Sequence, residues 1–496
     1  MKTGASTNLP SVSATLMVLG TLGASAYAVF SQTVGGALAA AAAVHLAVIL
    51  STSGPGAGIM ILTTGRFFYF AGLLLILHLE GDSSYTATYF FLVDLLVIVS
   101  LLKRGRAARP ERATSKLILW SVSAFSLSVV VSWILSGYSQ EGLYWLGAYV
   151  VFAILPLGAT LAFTQQEVFS TSRWIFWSVA ILTTAYFYEA LTDRLSWFYG
   201  RASLEILDTP QIGSLFIASV IPIGLFAVIF LGGDLFGPPA WGLFPVAQLV
   251  RWIFTALFAG MIVFTGQRTP ILAFLLSTAA CFFLTPRVSL RHRLALVAGV
   301  CVLIASVSLF SNSGRFQVLS DMAHGDAEAL SVDETASMRL TYYRICLNTF
   351  LSEPVLGAGL GTFFGISSRS TAYPDRIPHN AFLEVAAGQG LVGFIPLATL
   401  VLGSVTVGAT ALRRSPDTLS KRSRLLTFLL ATTFYELALA GMTGSVFADS
   451  TMWCFLGMIW ALRLPEGRTT NHTVESRTSL EAGPALRPVG AGIPPR

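Results

Sequence analysis

The stretch LVGFIPLATLVLGSVTVGATAL at 391–412, followed directly by RRSPDTLSKRSR at 413–424, decides the fold. The first segment carries no charged side chain and is close to the ~20 residues with which a helix crosses a bilayer core. The second segment holds five basic residues in a short loop, which is typical of the cytoplasmic side of a membrane. The pair therefore predicts a membrane-spanning helix that ends in the cytoplasm.

Similar apolar runs recur along the chain, and we predict fourteen membrane-spanning helices, or twelve or thirteen if the short or closely spaced runs do not cross separately. Charged residues make up only 11% of the chain, far below the ~25% of a soluble domain. A lone segment in lipid must satisfy its own backbone hydrogen bonds, so the fold class is an all-α integral membrane protein. The predicted spans are 12–30, 34–51, 59–79, 86–102, 117–136, 143–163, 174–192, 213–232, 246–265, 269–285, 294–310, 391–412, 425–442 and 450–462.

Basic loops predict the orientation of these spans. Segment 103–116 holds six basic residues and segment 286–293 holds three, so both are expected in the cytoplasm together with 413–424. With fourteen spans all three loops fall on one side, and both chain ends are cytoplasmic. The net charge of +6 thus reads as a topology signal and not as a nucleic-acid surface.

The same features divide the chain into five parts. The long segment 311–390, with five Arg, no Lys and eight acids, is predicted to be one large extracytoplasmic loop that carries the site. The tail is rich in Pro, Gly, Ser and Thr and is predicted to be disordered. The parts are 1–200 (N-terminal membrane helices), 201–310 (membrane helices with Arg268 at a helix end), 311–390 (the loop), 391–464 (C-terminal membrane helices) and 465–496 (cytoplasmic tail).

Two arginine motifs lie on the predicted outer face. Arg268 follows Thr265-Gly266-Gln267 at a tight hinge between two apolar runs, where it either binds a ligand or anchors the helix end in the headgroup layer. Arg339 and Arg344 lie in SMRLTYYR, before an amphipathic helix predicted at 345–351. The planar guanidinium fork suits a diphosphate, and the alternative for these two arginines is pairing with Asp333 or Glu334.

A third motif, PHNAFLE at 378–384, precedes the span at 391–412. The imidazole of His379 can accept a proton near pH 7, although an isolated His is more often structural. Asn380 can hydrogen-bond neighbouring backbone groups and hold the turn.

Four charged residues are predicted inside spans, where a charge normally pairs or faces a cavity. We favour an Arg66–Asp94 pair between neighbouring spans over catalysis, and the roles of all four residues stay open. They are Arg66, Asp94, Arg251 and Glu436.

The order of TGQR, MRLTYYR, SEPVLGAGLGTF and PHNAFL resembles the O-antigen ligase and polymerase superfamily, from about residue 200 to 410. That superfamily includes WaaL-like O-antigen ligases, Wzy-type polysaccharide polymerases and some protein O-oligosaccharyltransferases. The resemblance implies a GT-C-like helical arrangement and metal-independent glycosyl transfer, without a cofactor. The family's Trp is replaced here by Tyr343, and Gly388 stands where the family often has a Glu two residues before Gly390.

By this resemblance Arg268 and Arg339 hold the diphosphate of an undecaprenyl-linked glycan, and His379 acts on the acceptor hydroxyl. The residues further expected at the substrate are Arg344, Tyr343 and Asn380. We expect a Wzy-type polymerase; the alternatives are a WaaL-type ligase that uses the lipid A core, a protein-glycosylating enzyme, or a flippase from another class. The expected partners are the lipid-linked glycan, the acceptor, membrane lipids, a flippase and a chain-length regulator, at the periplasmic face of the inner membrane.

Overall fold

The computed structural model describes eleven segments of the chain, which together contain nine of the predicted spans. The spans predicted before residue 103 and at 294–310 lie outside these segments, as do Arg66, Asp94 and the tail 465–496. The described residues are 116–161, 163–192, 204–206, 209–212, 214–236, 244–265, 267–284, 334–361, 378–415, 420–443 and 450–463.

These segments are helical apart from one antiparallel hairpin, in which β1 (Leu204–Ile206) pairs with β2 (Thr209–Ile212). A π-helical turn, Val150–Ile154, joins α2 to α3. The α-helices are α1 (Lys116–Leu135), α2 (Gln140–Tyr149), α3 (Leu155–Leu161), α4 (Gln165–Thr192), α5 (Ser214–Leu235), α6 (Phe244–Phe264), α7 (Arg268–Leu284), α8 (Glu334–Ser352), α9 (Ala381–Arg414), α10 (Lys421–Ala440) and α11 (Ser450–Ala461).

Each predicted span within the described residues coincides with helix, and the run at 143–163 comprises α2, the π-helical turn and α3. In the part of the chain that the structure describes, four helical segments are long and apolar enough to cross a membrane: Lys116–Leu135, Ala218–Leu235, Ala381–Arg414 and Lys421–Ala440. A predominantly helical membrane architecture is therefore confirmed for the described residues. The count of fourteen and the sidedness stay predictions.

Two large apolar clusters hold most of the described helices together. One lies among α4, α5, α6, α7, α10 and α11 and includes Phe176, Phe258 and Phe428. The other lies among α1, α2, α3, α9 and α11, where Trp453 packs against Phe125 and Tyr149. In lipid, such close packing takes the place of the hydrophobic drive that holds a soluble core together.

Arginines secure the helix ends that are predicted to be cytoplasmic. Arg424 at the start of α10 forms a two-pronged pair with Asp234 near the end of α5, with both N–O distances at 2.9 Å. Arg422 donates to the carbonyl of Leu462, just after α11, at 2.6 Å. Inside the bundle, Arg251 donates to the backbone carbonyl of Ile229 at 3.0 Å.

Candidate active site

Asn380 starts α9 and holds the turn that carries His379. Its Oδ1 atom accepts hydrogen bonds from the backbone N–H groups of Phe382 (3.1 Å) and Leu383 (3.0 Å). The side chain thereby satisfies two of the N–H groups that a helix start leaves without intrahelical partners. These are the turn-holding contacts expected of Asn380 from the sequence.

His379 stands in the left-handed region of backbone space, with φ at +55°. Residues other than glycine adopt this conformation uncommonly, although His does so more often than most. The chain therefore turns sharply at His379, immediately before the capped start of α9. Its side chain is half-buried, so the imidazole is held near rigid structure while part of it stays accessible.

Tyr343 connects α8 to this turn. Its hydroxyl is hydrogen-bonded to the side chain of Asn380, and the Arg339 guanidinium lies close enough to act on it electrostatically. Burial raises the pKa of the Tyr343 phenol, and the Arg339 charge and the Asn380 hydrogen bond oppose that rise. Tyr343 therefore stays protonated at neutral pH and brings the arginine and the His379–Asn380 turn to one place.

Arg339 lies one turn before Tyr343 on α8 and is half-buried. Its Nε atom is fully buried and finds no hydrogen-bond acceptor in the described structure. A buried donor without a partner costs roughly 1–3 kcal/mol, and more when the group is charged. The contacts among the described residues therefore leave this donor of Arg339 unsatisfied.

Glu384 and Cys346 form the inner side of the same α8–α9 contact. Cys346 is fully buried, beside Tyr342 and Ala387. Burial first, and then the negative charge of Glu384, raises the pKa of the Cys346 thiol to about 12. A thiol with that pKa is not a nucleophile at neutral pH. Cys346 is thus a packing residue, and Glu384 faces it from the first turn of α9.

A glycine junction locks the end of α8 to a break in α9. The break is at Gly390, whose φ of +61° and ψ of −156° interrupt the helix. The backbone N–H groups of Ala358 and Gly359 donate to the carbonyls of Ala387 (2.9 Å) and Gly388 (3.0 Å). Beyond the break, the N–H groups of Leu391 and Val392 donate to Pro354 (2.8 Å) and Val355 (3.1 Å). Loop 354–360 therefore supplies the hydrogen bonds that the interrupted helix lacks.

Only glycine fits at the closest points of this junction. A Cβ atom at Gly357 would lie 2.5 Å from the backbone of Gly388 and Gln389. A Cβ atom at Gly390 would lie 2.4 Å from the carbonyl oxygen of Val355. Because both contacts are with backbone, neither can be relieved by a side-chain rotation. The junction therefore fixes the relative position of the two helices that carry Arg339 and Asn380.

α1 supports the junction through serines that the sequence reasoning missed. The Ser132 hydroxyl donates to the Gly388 carbonyl at 2.6 Å, and the Ser128 hydroxyl lies 2.7 Å from Oε1 of Gln389. Ser136 touches Gly359, where a Cβ atom would lie 3.0 Å from it. The spacing of Ser128, Ser132 and Ser136 by four residues, one face of a helix, was the available signal.

The remaining predicted site residues lie apart from this cluster or beyond the described side chains. Arg268 is the first residue of α7, so its backbone is at a helix end as expected, and its side chain is outside the described residues. Arg344 is exposed, on the side of α8 opposite Tyr342 and Cys346. The structure therefore brings together Arg339, Tyr343, Asn380 and the His379 turn, and does not bring Arg344 among them.

The described residues contain no group of three His, Cys, Asp or Glu side chains close enough to share a metal ion. A search of curated proteins finds no match to the chain. Residues 253–398 match the family model described as O-antigen ligase, Wzy_C. The matched range contains α7, α8, the glycine junction, the Arg339–Tyr343–Asn380 cluster and His379. The match confirms the resemblance of this chain to the O-antigen ligase and polymerase superfamily.

Proposed function

We propose that the chain is a Wzy-type polymerase, a membrane glycosyltransferase that joins undecaprenyl-diphosphate-linked oligosaccharides on the periplasmic face of the inner membrane. The observation that carries the proposal is the buried Nε of Arg339, which has no acceptor among the described residues and lies beside the Tyr343–Asn380 contact at the His379 turn. An anion-binding arginine and a half-buried imidazole are the two groups that transfer from a lipid diphosphate requires. Their segment also matches the O-antigen ligase family.

In the proposed reaction Arg339 and Arg268 bind the diphosphate and stabilise the charge that it gains as it leaves. His379 takes the proton of the acceptor hydroxyl while that oxygen attacks the anomeric carbon. A new carbon–oxygen bond forms to the acceptor, the bond to the diphosphate breaks, and undecaprenyl diphosphate departs. Attack opposite the leaving group inverts the anomeric centre, and the arginines take the charge-neutralising place that a divalent metal has in other glycosyltransferases.

Asn380 and Tyr343 have a second role in this proposal beyond their contact with each other. Tyr343 lies one helical turn after Arg339 and is hydrogen-bonded to Asn380, the residue after His379, so a sugar bound at this cluster would meet the Tyr343 hydroxyl and the Asn380 amide. Side-chain hydroxyl and amide groups donate and accept hydrogen bonds, as sugar hydroxyls require. We therefore assign them to the substrate, within a GT-C-like arrangement of membrane helices.

The acceptor separates the polymerase from its alternatives. A polymerase transfers the growing glycan to a new lipid-linked repeat unit and works with a flippase and a chain-length regulator. A ligase transfers it to the lipid A core, and the matching family model does not distinguish between these two acceptors. A flippase would need neither Arg339 nor His379 for chemistry.

Deletion of the gene tests the proposal by the intermediates that accumulate. Single lipid-linked repeat units, with no long chains, are expected for a polymerase. Long lipid-linked chains that fail to reach the lipid A core would establish the ligase instead. Accumulation on the cytoplasmic side of the membrane would indicate a flippase and overturn both. Complementation with the wild-type gene must restore the surface glycan in each case.

A further inference from the structure

α8 has two faces of different chemistry. Its inner face, with Tyr342 and Cys346 fully buried, packs against Ala387 of α9. The opposite face is exposed and apolar, with the exposed fraction rising from 42% at Leu340 to 64% at Leu351. Leu340, Arg344, Leu347 and Leu351 follow one another at steps of four, three and four residues, which places them on one side of a helix.

This outer face of α8 continues into the side of α9 that crosses the membrane. After α8 the chain exposes Val355 and Leu356, at 58% and 43%. Backbone hydrogen bonds join Pro354 and Val355 to Leu391 and Val392, whose side chains are also exposed. From there the exposed apolar surface continues along the membrane-spanning part of α9 to Ile395 and Leu402. The apolar surface is therefore an extension of a lipid-facing surface.

The composition of α8 is that of a helix at a membrane surface and not of one that crosses it. α8 is absent from the described helices that are apolar enough to span a bilayer, and it carries both Arg339 and Arg344. After its break at Gly390, α9 continues for 24 residues to Arg414, about 36 Å at 1.5 Å per residue, which is enough to cross a hydrocarbon core of ~30 Å. Its segment before Gly390, against which α8 packs, is therefore the part that lies beyond the core.

We propose that α8 is an interfacial helix whose outer face rests in the phospholipid headgroup layer of the outer leaflet. Leu340, Leu347 and Leu351 enter the boundary between headgroups and acyl chains. Arg344, in the middle of that face, pairs with a phospholipid phosphate through its planar fork. The lipid assignment stands on exposure and charge alone, and only the next consequence rests on the proposed function.

That consequence concerns the depth of Arg339 relative to the membrane surface. Arg339 and Arg344 are on one short helix, so a helix held at the headgroup layer holds Arg339 at the level of lipid phosphates. A diphosphate attached to a polyprenyl chain lies at the same level. The interfacial face would therefore bring the Arg339 guanidinium to the donor diphosphate without drawing that diphosphate out of the membrane.

Nitroxide spin labels test the placement in the full chain, reconstituted in nanodiscs of phosphatidylethanolamine and phosphatidylglycerol. Labels are attached to Leu347→Cys or Leu351→Cys, with Cys301 replaced by Ser because the remaining cysteines are buried. Collision rates are measured with oxygen, which partitions into lipid, and with a nickel chelate, which stays in water. Gln166→Cys serves as the water-exposed reference and Leu402→Cys as the reference within the membrane.

The oxygen-to-nickel ratio at both leucines should lie above that at Gln166 and below that at Leu402. A ratio equal to that at Gln166 would overturn the proposal, because the face would be in water. Shielding from both reagents would also overturn it, because protein would cover the face. Arg344→Glu should shift the ratio at Leu347 towards the Gln166 value, and an unchanged ratio would refute the phosphate pairing. None of these readings needs turnover, so they stand or fall separately from the proposed function.

Discussion

Arginines at two places in this molecule differ in whether their guanidinium donors have hydrogen-bond acceptors. Arg424 and Arg422, at the start of α10, are satisfied by Asp234 and by carbonyls that follow α11. Arg339, beside the His379 turn, keeps a fully buried Nε without an acceptor in the described structure. A satisfied arginine contributes to stability, whereas an unsatisfied buried donor lowers it until a ligand arrives. The difference separates the arginines that hold the fold from the one that we assign to the donor.

The largest effect on activity is expected from His379→Ala, in the turn beside Arg339. Loss of a general base should lower kcat by roughly 10²–10⁴-fold while donor binding survives. His379→Gln should also be poor, because an amide cannot take the proton. Steady-state kinetics with purified, correctly inserted protein measure this. A raised KM with kcat kept at saturating acceptor would assign His379 to acceptor binding and remove the base role.

Arg339→Lys tests the unsatisfied arginine. Lysine keeps the charge and loses the planar fork, so activity should fall roughly 10- to 100-fold, which corresponds to one charged hydrogen bond of ~1.5–3 kcal/mol. Insertion and thermal unfolding in detergent should change little. The matched control is Arg424→Lys, which alters a satisfied arginine far from the cluster and should leave activity intact. Wild-type turnover by Arg339→Lys would mean that Arg339 has only a structural role, like Arg422 and Arg424.

Gly357→Ala should damage both the fold and the site, because its Cβ would meet backbone at 2.5 Å. We expect a loss of roughly 1–3 kcal/mol in stability, the usual cost of overpacking. Gly137→Ala is the control, since Gly137 also has a positive φ but nothing within 4 Å of its Cβ position. Thermal unfolding of the two variants separates steric clash from backbone strain. Equal losses would mean that the close junction is not what limits substitution at Gly357.

Asp234→Asn should have a small effect on stability and none on activity. The Arg424 and Asp234 side chains are 32% and 18% exposed, so we expect a loss of about 1 kcal/mol, near the upper end for partly exposed pairs. Thermal unfolding and turnover of the same preparation measure both quantities. A marked loss of turnover without a loss of stability would contradict the purely structural role given to this pair.

The smallest effect is expected from EDTA. If arginines neutralise the diphosphate, turnover of the purified enzyme with its lipid-linked donor should not change when divalent ions are removed. The assay compares initial rates with and without the chelator. Activity that is lost in EDTA and restored by one specific divalent ion would replace the arginine-based mechanism with a metal-based one.

The apolar runs predicted the described helices well because span length and hydrophobicity are local properties of the sequence. Helix boundaries that depend on tertiary contacts were predicted less well. α8 begins at Glu334, well before the predicted 345–351. α9 begins at Ala381, where Asn380 caps it, and it continues past the break at Gly390 because the loop supplies the missing hydrogen bonds.

The residues of the candidate site were likewise predictable from local sequence patterns, whereas their contacts with one another were not. The motifs identified Arg339, Tyr343, His379 and Asn380, since each stands in a recognisable segment. Contacts across α8 and α9 decide which of them meet, and no local pattern records those contacts. The sequence therefore grouped Arg344 with Arg339, although an offset of five residues turns the two side chains away from each other by about 140°.

Equilibrium binding of a radiolabelled undecaprenyl-diphosphate-linked glycan tests the central claim most directly. The measurement compares the His379→Ala protein, which prevents turnover, with the same protein carrying Arg339→Lys or Arg424→Lys in addition, all in the same nanodiscs. Arg339→Lys should raise the donor Kd by roughly tenfold or more, which corresponds to at least ~1.4 kcal/mol, while Arg424→Lys leaves it unchanged. Equal donor affinity in all three proteins would contradict the claim that Arg339 waits for the lipid diphosphate.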